Sequence, residues 1–257
     1  MPSEYSSRIV KSTEERPVQR LLVGTPTLGT VRMEWVQGRY GQLIPCNWSM
    51  VQMLHYVESY APLGFMVPDA QNMIVKAAVE GDYEWLLFVE DDTIPPADAF
   101  MRFNAYMRDA SVPVVSGLYY TKSQPSEPII YRGRGNSYFG DWKPGDKVWA
   151  DGVPTGCLLI NMKVLKLMWE ESPEYSVGGQ VTRRVFEQPE SMWFDAESQV
   201  LRMTTGTSDL TWCHRVQEQN VLGRAGWPKI AKRKYPFLVD TAIFCRHIDP
   251  SGRTYPM

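Results

Sequence analysis

Long apolar runs are missing from this chain. The longest, Trp85 to Val89, is five residues, a strand's length and far below the ~20 needed for a membrane-spanning helix. The segment Met1 to Arg16 is polar and carries no apolar leader core, so residues 1–19 read as a polar N-terminal segment and the protein as cytoplasmic. Cysteines are few. Cys46, Cys157, Cys213 and Cys245 are scattered among apolar neighbours with no C-x-x-C pair, which reads as reduced core thiols. The three histidines show no close-spaced His/Glu zinc pattern, which argues against a metallohydrolase. An excess of basic charge is also absent: 27 Lys and Arg against 29 Asp and Glu give a net charge of -2. General affinity for nucleic acid is therefore not expected, and the cluster Lys232-Arg233-Lys234 reads as solvated surface. No internal repeat is visible.

The 257 residues, 44% hydrophobic and 22% charged, suit one globular domain with an ample core. Strand-like and helix-like segments alternate through the first half. Strands are expected at Arg20–Gly24, Gly64–Val67, Trp85–Val89 and Val112–Tyr120. Helices are expected over Trp48–Tyr60, where Met50, Met53, Leu54 and Val57 share a face, over Ala70–Glu80 capped by Asp69, and from Pro95 and Pro96, which would sit in the first turn. This alternation predicts an α/β fold: a Rossmann-like, mostly parallel central sheet with helices on both faces, in a single domain over 20–257. In the second half, Ser123–Asp151 reads as hairpins or loops, and Thr155–Ile160 as a strand followed by a helix over Met162–Trp169. Glu171–Thr205 reads as an irregular, mobile loop, Ser208–Asn220 as a helix and Phe237–Cys245 as one or two strands. A ligand-binding front half (20–122) and an acceptor-shaping back half (123–257) follow.

The most informative segment is Phe88-Val89-Glu90-Asp91-Asp92-Thr93-Ile94-Pro95-Pro96. Three carboxylates follow a strand that reads as buried on both faces. In open α/β sheets, ligands bind beyond the carboxyl ends of the strands. Adjacent acids repel one another, so an ordered cluster needs a counter-charge. A hard divalent cation, Mg²⁺ or Mn²⁺, supplies one through carboxylate oxygens and substrate phosphates. Glu90 and Asp92, two residues apart, can reach one ion or its water. The competing reading is a solvated acidic turn in which Asp92 caps the next helix.

This pattern resembles the D-x-D motif of GT-A glycosyltransferases, especially family-2-like members, with Glu90 in place of the first Asp. The resemblance implies a metal held by Glu90 and Asp92, with His247 after the last strand completing its shell. The metal would hold the diphosphate of a nucleoside-diphosphate sugar, a UDP- or GDP-sugar. Leu21 to Thr27 resembles the strand and loop that cradle the nucleotide, which implicates Thr25, Pro26 and Thr27. Asp69-Ala70-Gln71-Asn72 resembles the Arg-Asn segment at the second helix, with Gln71 where arginine is frequent. It implicates Asp69 and Asn72, while Asp91 joins the donor-binding set from the acidic motif. Asp151 to Ile160 resembles the Gly-rich segment whose backbone faces the transferred sugar, here at Gly156. Thr207-Ser208-Asp209 resembles the x-E-D motif, Ser208 replacing the Glu, and implies Asp209 as the base that deprotonates an acceptor hydroxyl.

The expected activity is thus metal-dependent transfer of a sugar to a hydroxyl acceptor, with inversion. Trp193 and its neighbours, in the expected mobile loop, could stack on a sugar, as could Tyr138, Trp142 and Trp149. Two alternatives remain at this point. A nucleotidyltransferase of similar fold would carry a Gly-rich basic loop, which Gly24 to Arg32 matches faintly. A non-catalytic nucleotide-sugar-binding protein would share the pocket without the base. His55 and His214 read as structural or exposed.

Overall fold

The computed structural model describes residues 21–44, 57–133, 138–195 and 197–256. The segment 1–19, Cys46, His55 and most of the helix expected from Trp48 lie outside the described residues.

In chain order the strands are β1 (Leu21–Gly24), β2 (Val57–Tyr60), β3 (Trp85–Val89), β4 (Thr93–Ile94), β5 (Val114–Leu118), β6 (Lys147–Ala150), β7 (Cys157–Asn161), β8 (Glu174–Val177), β9 (Gln180–Arg183), β10 (Glu190–Asp195), β11 (Val200–Thr205), β12 (Phe237–Phe244), β13 (Arg246–Ile248) and β14 (Thr254–Tyr255). The helices are α1 (Met33–Tyr40), α2 (Val67–Glu80), α3 (Ala99–Asp109), α4 (Met162–Glu171), α5 (Ser208–Glu218), α6 (Val221–Arg224) and α7 (Pro228–Ala231).

Seven strands form the central sheet in the order β2-β1-β3-β7-β5-β12-β6. β1 pairs in parallel with both β2 and β3, and β5 with β12. β7 runs antiparallel to both β3 and β5, and β6 antiparallel to β12. All strands of this sheet but β7 and β6 therefore run in one direction, and the sheet is mostly parallel, as expected. Strands from either side of residue 122 interleave in it, since β7 sits between β3 and β5.

Alternation along the strands feeds two apolar cores, one on each face. Leu22, Leu86 and Phe88 pack with Ile74 and Val75 of α2, Leu165 of α4 and Trp212 of α5. Leu21, Val23, Trp85, Leu87 and Val89 pack on the other side with Trp35 of α1 and Phe100, Phe103 and Met107 of α3. This double burial explains why β3 is continuously apolar. It also makes the chain one mixed α/β domain with helices on both faces. Cys157, Cys213 and Cys245 are free, buried thiols.

Several local expectations are corrected. Val57–Tyr60, read as the end of a helix, is edge strand β2. Gly64–Val67 is no strand; α2 starts at Val67, with Met66 as N-cap and Pro68 in its first turn, so Asp69 lies inside the helix and does not cap it. Helix α3 starts at Ala99, beyond the two prolines, because Thr93–Ile94 first pairs with β13. The stretch read as an irregular loop, Glu171–Thr205, contains two hairpins, β8-β9 and β10-β11. In the second hairpin one face carries Met192, Phe194, Leu201 and Met203, all exposed. No helix among the described residues is long and apolar enough to cross a membrane.

Candidate active site

The acidic turn is held by its backbone. Glu90 N–H donates to the Gly156 carbonyl at 3.0 Å, and Trp35 Nε1 donates to the Glu90 carbonyl at 2.7 Å. Ile248 N–H donates to the Asp92 carbonyl at 2.7 Å. Beside the turn, β4, β13 and β14 form a small sheet in which His247 stands opposite Thr93. Asp92 and His247, far apart in sequence, are thereby fixed side by side. Asp92 caps no helix, since Asp98 is the N-cap residue of α3.

One oxygen of Asp92, Oδ2, faces two basic groups. Lys122 Nζ lies 2.5 Å away and His247 Nε2 lies 3.3 Å away. Burial acts to raise the proton affinity of Asp92, but the His247 and Lys122 contacts outweigh it and bring the carboxyl down to about 2. His247 Nδ1 is 2.8 Å from the Tyr120 carbonyl. A carbonyl can only accept, so Nδ1 carries a proton toward Tyr120, and Nε2 is the ring nitrogen that faces Asp92.

Glu90 turns inward. Its Oε1 accepts a 2.7 Å hydrogen bond from the Thr155 hydroxyl, which in turn accepts from Gln71 Nε2 at 2.9 Å. Burial, then the negative charges of Asp92, Asp209 and Asp91, push Glu90 up to about 8, the Thr155 hydroxyl opposing. Gln71 Oε1 is buried without a hydrogen-bond partner. Asp91 is raised by burial, against which the Thr27 hydroxyl acts.

Asp209 sits in the first turn of α5, where the field of the helix N-terminus favours a carboxylate. Burial raises its proton affinity, while the Thr207 hydroxyl and the Leu210 N–H resist the shift. Its charge is felt by Glu90 and by the buried Tyr119 hydroxyl, whose ionisation is suppressed first by burial and then by Glu90, Asp209 and Asp92.

A cleft of about 1090 Å³ opens at this end of the sheet. Pro26, Thr27, Asp91, Asp92 and Lys122 line it, together with Arg32, Glu34 and Asp249. Four of the expected residues thus share one wall. Glu90, His247 and Asp209 are not among its lining residues. Thr25 is buried, and its N–H is bonded to the Tyr60 carbonyl at 3.0 Å.

Three other expected residues are bonded within the fold. Asn72 donates to the Phe186 carbonyl and accepts from the Phe186 N–H, both at 2.8 Å, and also donates to the Tyr175 hydroxyl. Asp69 accepts from that same hydroxyl at 2.7 Å. Gly156 spends its N–H on the Tyr119 hydroxyl at 2.8 Å. A Cβ there would lie 2.3 Å from Tyr119 Oη and 2.7 Å from Thr93 Oγ1, so close packing demands glycine.

Sequence reasoning missed Lys122. It follows the strand-like run 112–120, at the carboxyl side of a parallel strand, and that position was the available signal. Among the described residues no group of three or more His, Cys, Asp or Glu stands as a ready-made metal cage. The donor set still fits a hard ion shared with phosphate, which needs one or two carboxylates and keeps its waters. A carboxyl crowded by three others, and an imidazole nitrogen that faces the same oxygen of Asp92, are such groups.

No protein-family model matches this sequence, and no curated protein matches it. Among solved structures, the S. aureus TarS fragment in complex with UDP aligns at TM-score 0.34 and 15% identity, over 57% of this chain and 48% of that one. This chain thus spans about half of that TarS chain. A glycosyltransferase involved in the glycosylation of the major capsid of PBCV-1 aligns at TM-score 0.30 and 13% identity, over 59% of this chain and 65% of that one. A197 from STIV superposes at TM-score 0.51 and 16% identity, over 91% of this chain and 92% of that one. Across nearly the whole of both chains, the likeness to A197 is one of fold: a mixed α/β domain built on a large, mostly parallel sheet, the architecture expected of a GT-A-like Rossmann fold.

Proposed function

We propose that this protein is a glycosyltransferase that moves a sugar from a nucleoside-diphosphate sugar, a UDP- or GDP-sugar, to an acceptor hydroxyl. The observation that carries this reading is the meeting of His247 with Asp92, which lines a large cleft together with Lys122, beside a Glu90 that feels the charges of Asp92 and Asp209. The cleft lies beyond the carboxyl ends of β1, β3 and β5, where open α/β sheets bind ligands. Pro26, Thr27 and Asp91 would contact the nucleotide.

Glu90, Asp92 and His247 would hold a divalent ion, Mn²⁺ or Mg²⁺. When bound, such an ion neutralises charge on the leaving diphosphate. Asp209 would take the proton of the acceptor hydroxyl as that oxygen bonds to the anomeric carbon, while the diphosphate departs with the electron pair of the broken C–O bond. Burial makes Asp209 a stronger base than an exposed carboxylate, and its hydrogen bonds keep it ready to accept. Attack from the face opposite the diphosphate gives inversion.

Two measurements test the proposal. A thermal-shift screen of UDP-, GDP-, ADP- and dTDP-sugars, with and without Mn²⁺, should show metal-dependent stabilisation by one nucleotide. Asp209→Asn should lower turnover by about 10²-fold or more, the usual worth of a general base, with donor affinity unchanged. Full turnover in that variant would remove Asp209 from the chemistry. The absence of any nucleotide shift would remove the transferase reading.

A further inference from the structure

Lys122 occupies the place where a divalent ion would have to work. Its ammonium touches Asp92 Oδ2, the same oxygen that faces His247 Nε2. An ion bound between Asp92 and His247 would need that oxygen, and it would repel an ammonium 2.5 Å from it. Lys122 has somewhere to go. Its side chain is 31% exposed, lies on a flexible four-carbon stem and lines the same cleft as Thr27 and Asp91. The other cation of that cleft, Arg32, is committed to Glu34 and to the Pro250 carbonyl.

We propose that Lys122 is an exchangeable internal cation. Without metal it neutralises Asp92; when a divalent ion takes Asp92, Lys122 is released to the diphosphate of the nucleotide in the cleft. The role rests on the donor-binding reading above and adds to it a residue that couples the metal to the phosphates. A built-in ammonium holds the acid that would otherwise repel its neighbours most strongly.

The exchange makes two predictions of opposite sign for one substitution. In Lys122→Met the ion meets no competing cation, so Mn²⁺ alone, read by electron paramagnetic resonance on EDTA-stripped protein, should bind several-fold tighter. The same variant, at saturating Mn²⁺, should bind UDP or GDP about tenfold more weakly by calorimetry, the worth of one hydrogen bond to a charged group. Lys122→Arg should restore nucleotide affinity in part. A purely structural lysine would move neither constant in a folded variant, and thermal melting establishes that the variant is folded. Unchanged or weaker Mn²⁺ binding in Lys122→Met overturns the proposal, as does an absence of Mn²⁺ binding in both proteins. If wild type binds Mn²⁺ but neither nucleotide, the donor reading fails and so does the phosphate half of the exchange. The Mn²⁺ comparison then decides the competition on its own.

Discussion

Glu90 should make the metal-free protein less stable as pH rises through neutrality. The carboxyl is pushed from 4.5 up to about 8 by burial and by three neighbouring carboxylates. A raised folded-state value means that the native state holds this proton more firmly than the unfolded chain. The resulting stability is fully present below pH 4.5 and is lost as pH climbs toward 8. At 1.36 kcal/mol per unit, the interval from pH 5 to 7.5 corresponds to about 3 kcal/mol. Glu90 is only half-buried, and screening there reduces the expected change to ~2 kcal/mol. Glu90→Gln removes the titration and keeps an oxygen to accept from Thr155 Oγ1. The variant should match wild type at pH 5 and exceed it by ~2 kcal/mol at pH 7.5. Urea unfolding followed by tryptophan fluorescence, in EDTA, gives both curves. Asp91 and Asp209 are raised as well, but they are common to both proteins and drop out of the difference. Parallel curves for the two proteins, or a variant less stable at every pH, would refute the argument. A second reading is available in wild type: Mn²⁺ should release protons near pH 7, seen as a heat that varies with the ionisation enthalpy of the buffer.

Two further substitutions separate packing from binding. Asn72→Ala strands the buried N–H and carbonyl of Phe186 and should cost about 3 kcal/mol in urea unfolding; if nucleotide affinity under native conditions falls with it, Asn72 also faces the donor. Gly156→Ala drives a methyl into the buried Tyr119 hydroxyl and should cost roughly 1–3 kcal/mol, read as a lowered melting temperature, whereas an unchanged melting temperature would mean that the turn relaxes freely.

The parts of the fold that were legible in the sequence are those buried on both sides. Trp85–Val89 could be read because a strand between two cores must be apolar throughout, and Val114–Leu118 and Cys157–Asn161 followed the same logic. The exposed hairpins were not read. For β8-β9 the signal existed: Gly178-Gly179, both at positive φ, joins two short runs. For β10-β11, apolar side chains that face water gave no pattern of burial to find. Val57 fell in register with a helical spacing of methionines, and a short edge strand has too few residues to contradict such a spacing. At the site, the acid cluster declared itself through the buried strand ahead of it. His247 was reached through a family resemblance, since one histidine after a strand carries no pattern of its own. The commitment of Asn72 to Phe186 could not be anticipated, because those partners meet only through tertiary structure.

The small sheet of β4, β13 and β14 has a consequence for how the protein comes into being. The central sheet is complete once β12 has joined it, and both cores are then nearly filled. His247 and the Ile248 clasp on the acidic turn come afterwards in the chain. A nascent polypeptide can therefore possess the architecture before it possesses the chemistry, because the stretch that brings the histidine to Asp92 emerges after every strand of the central sheet.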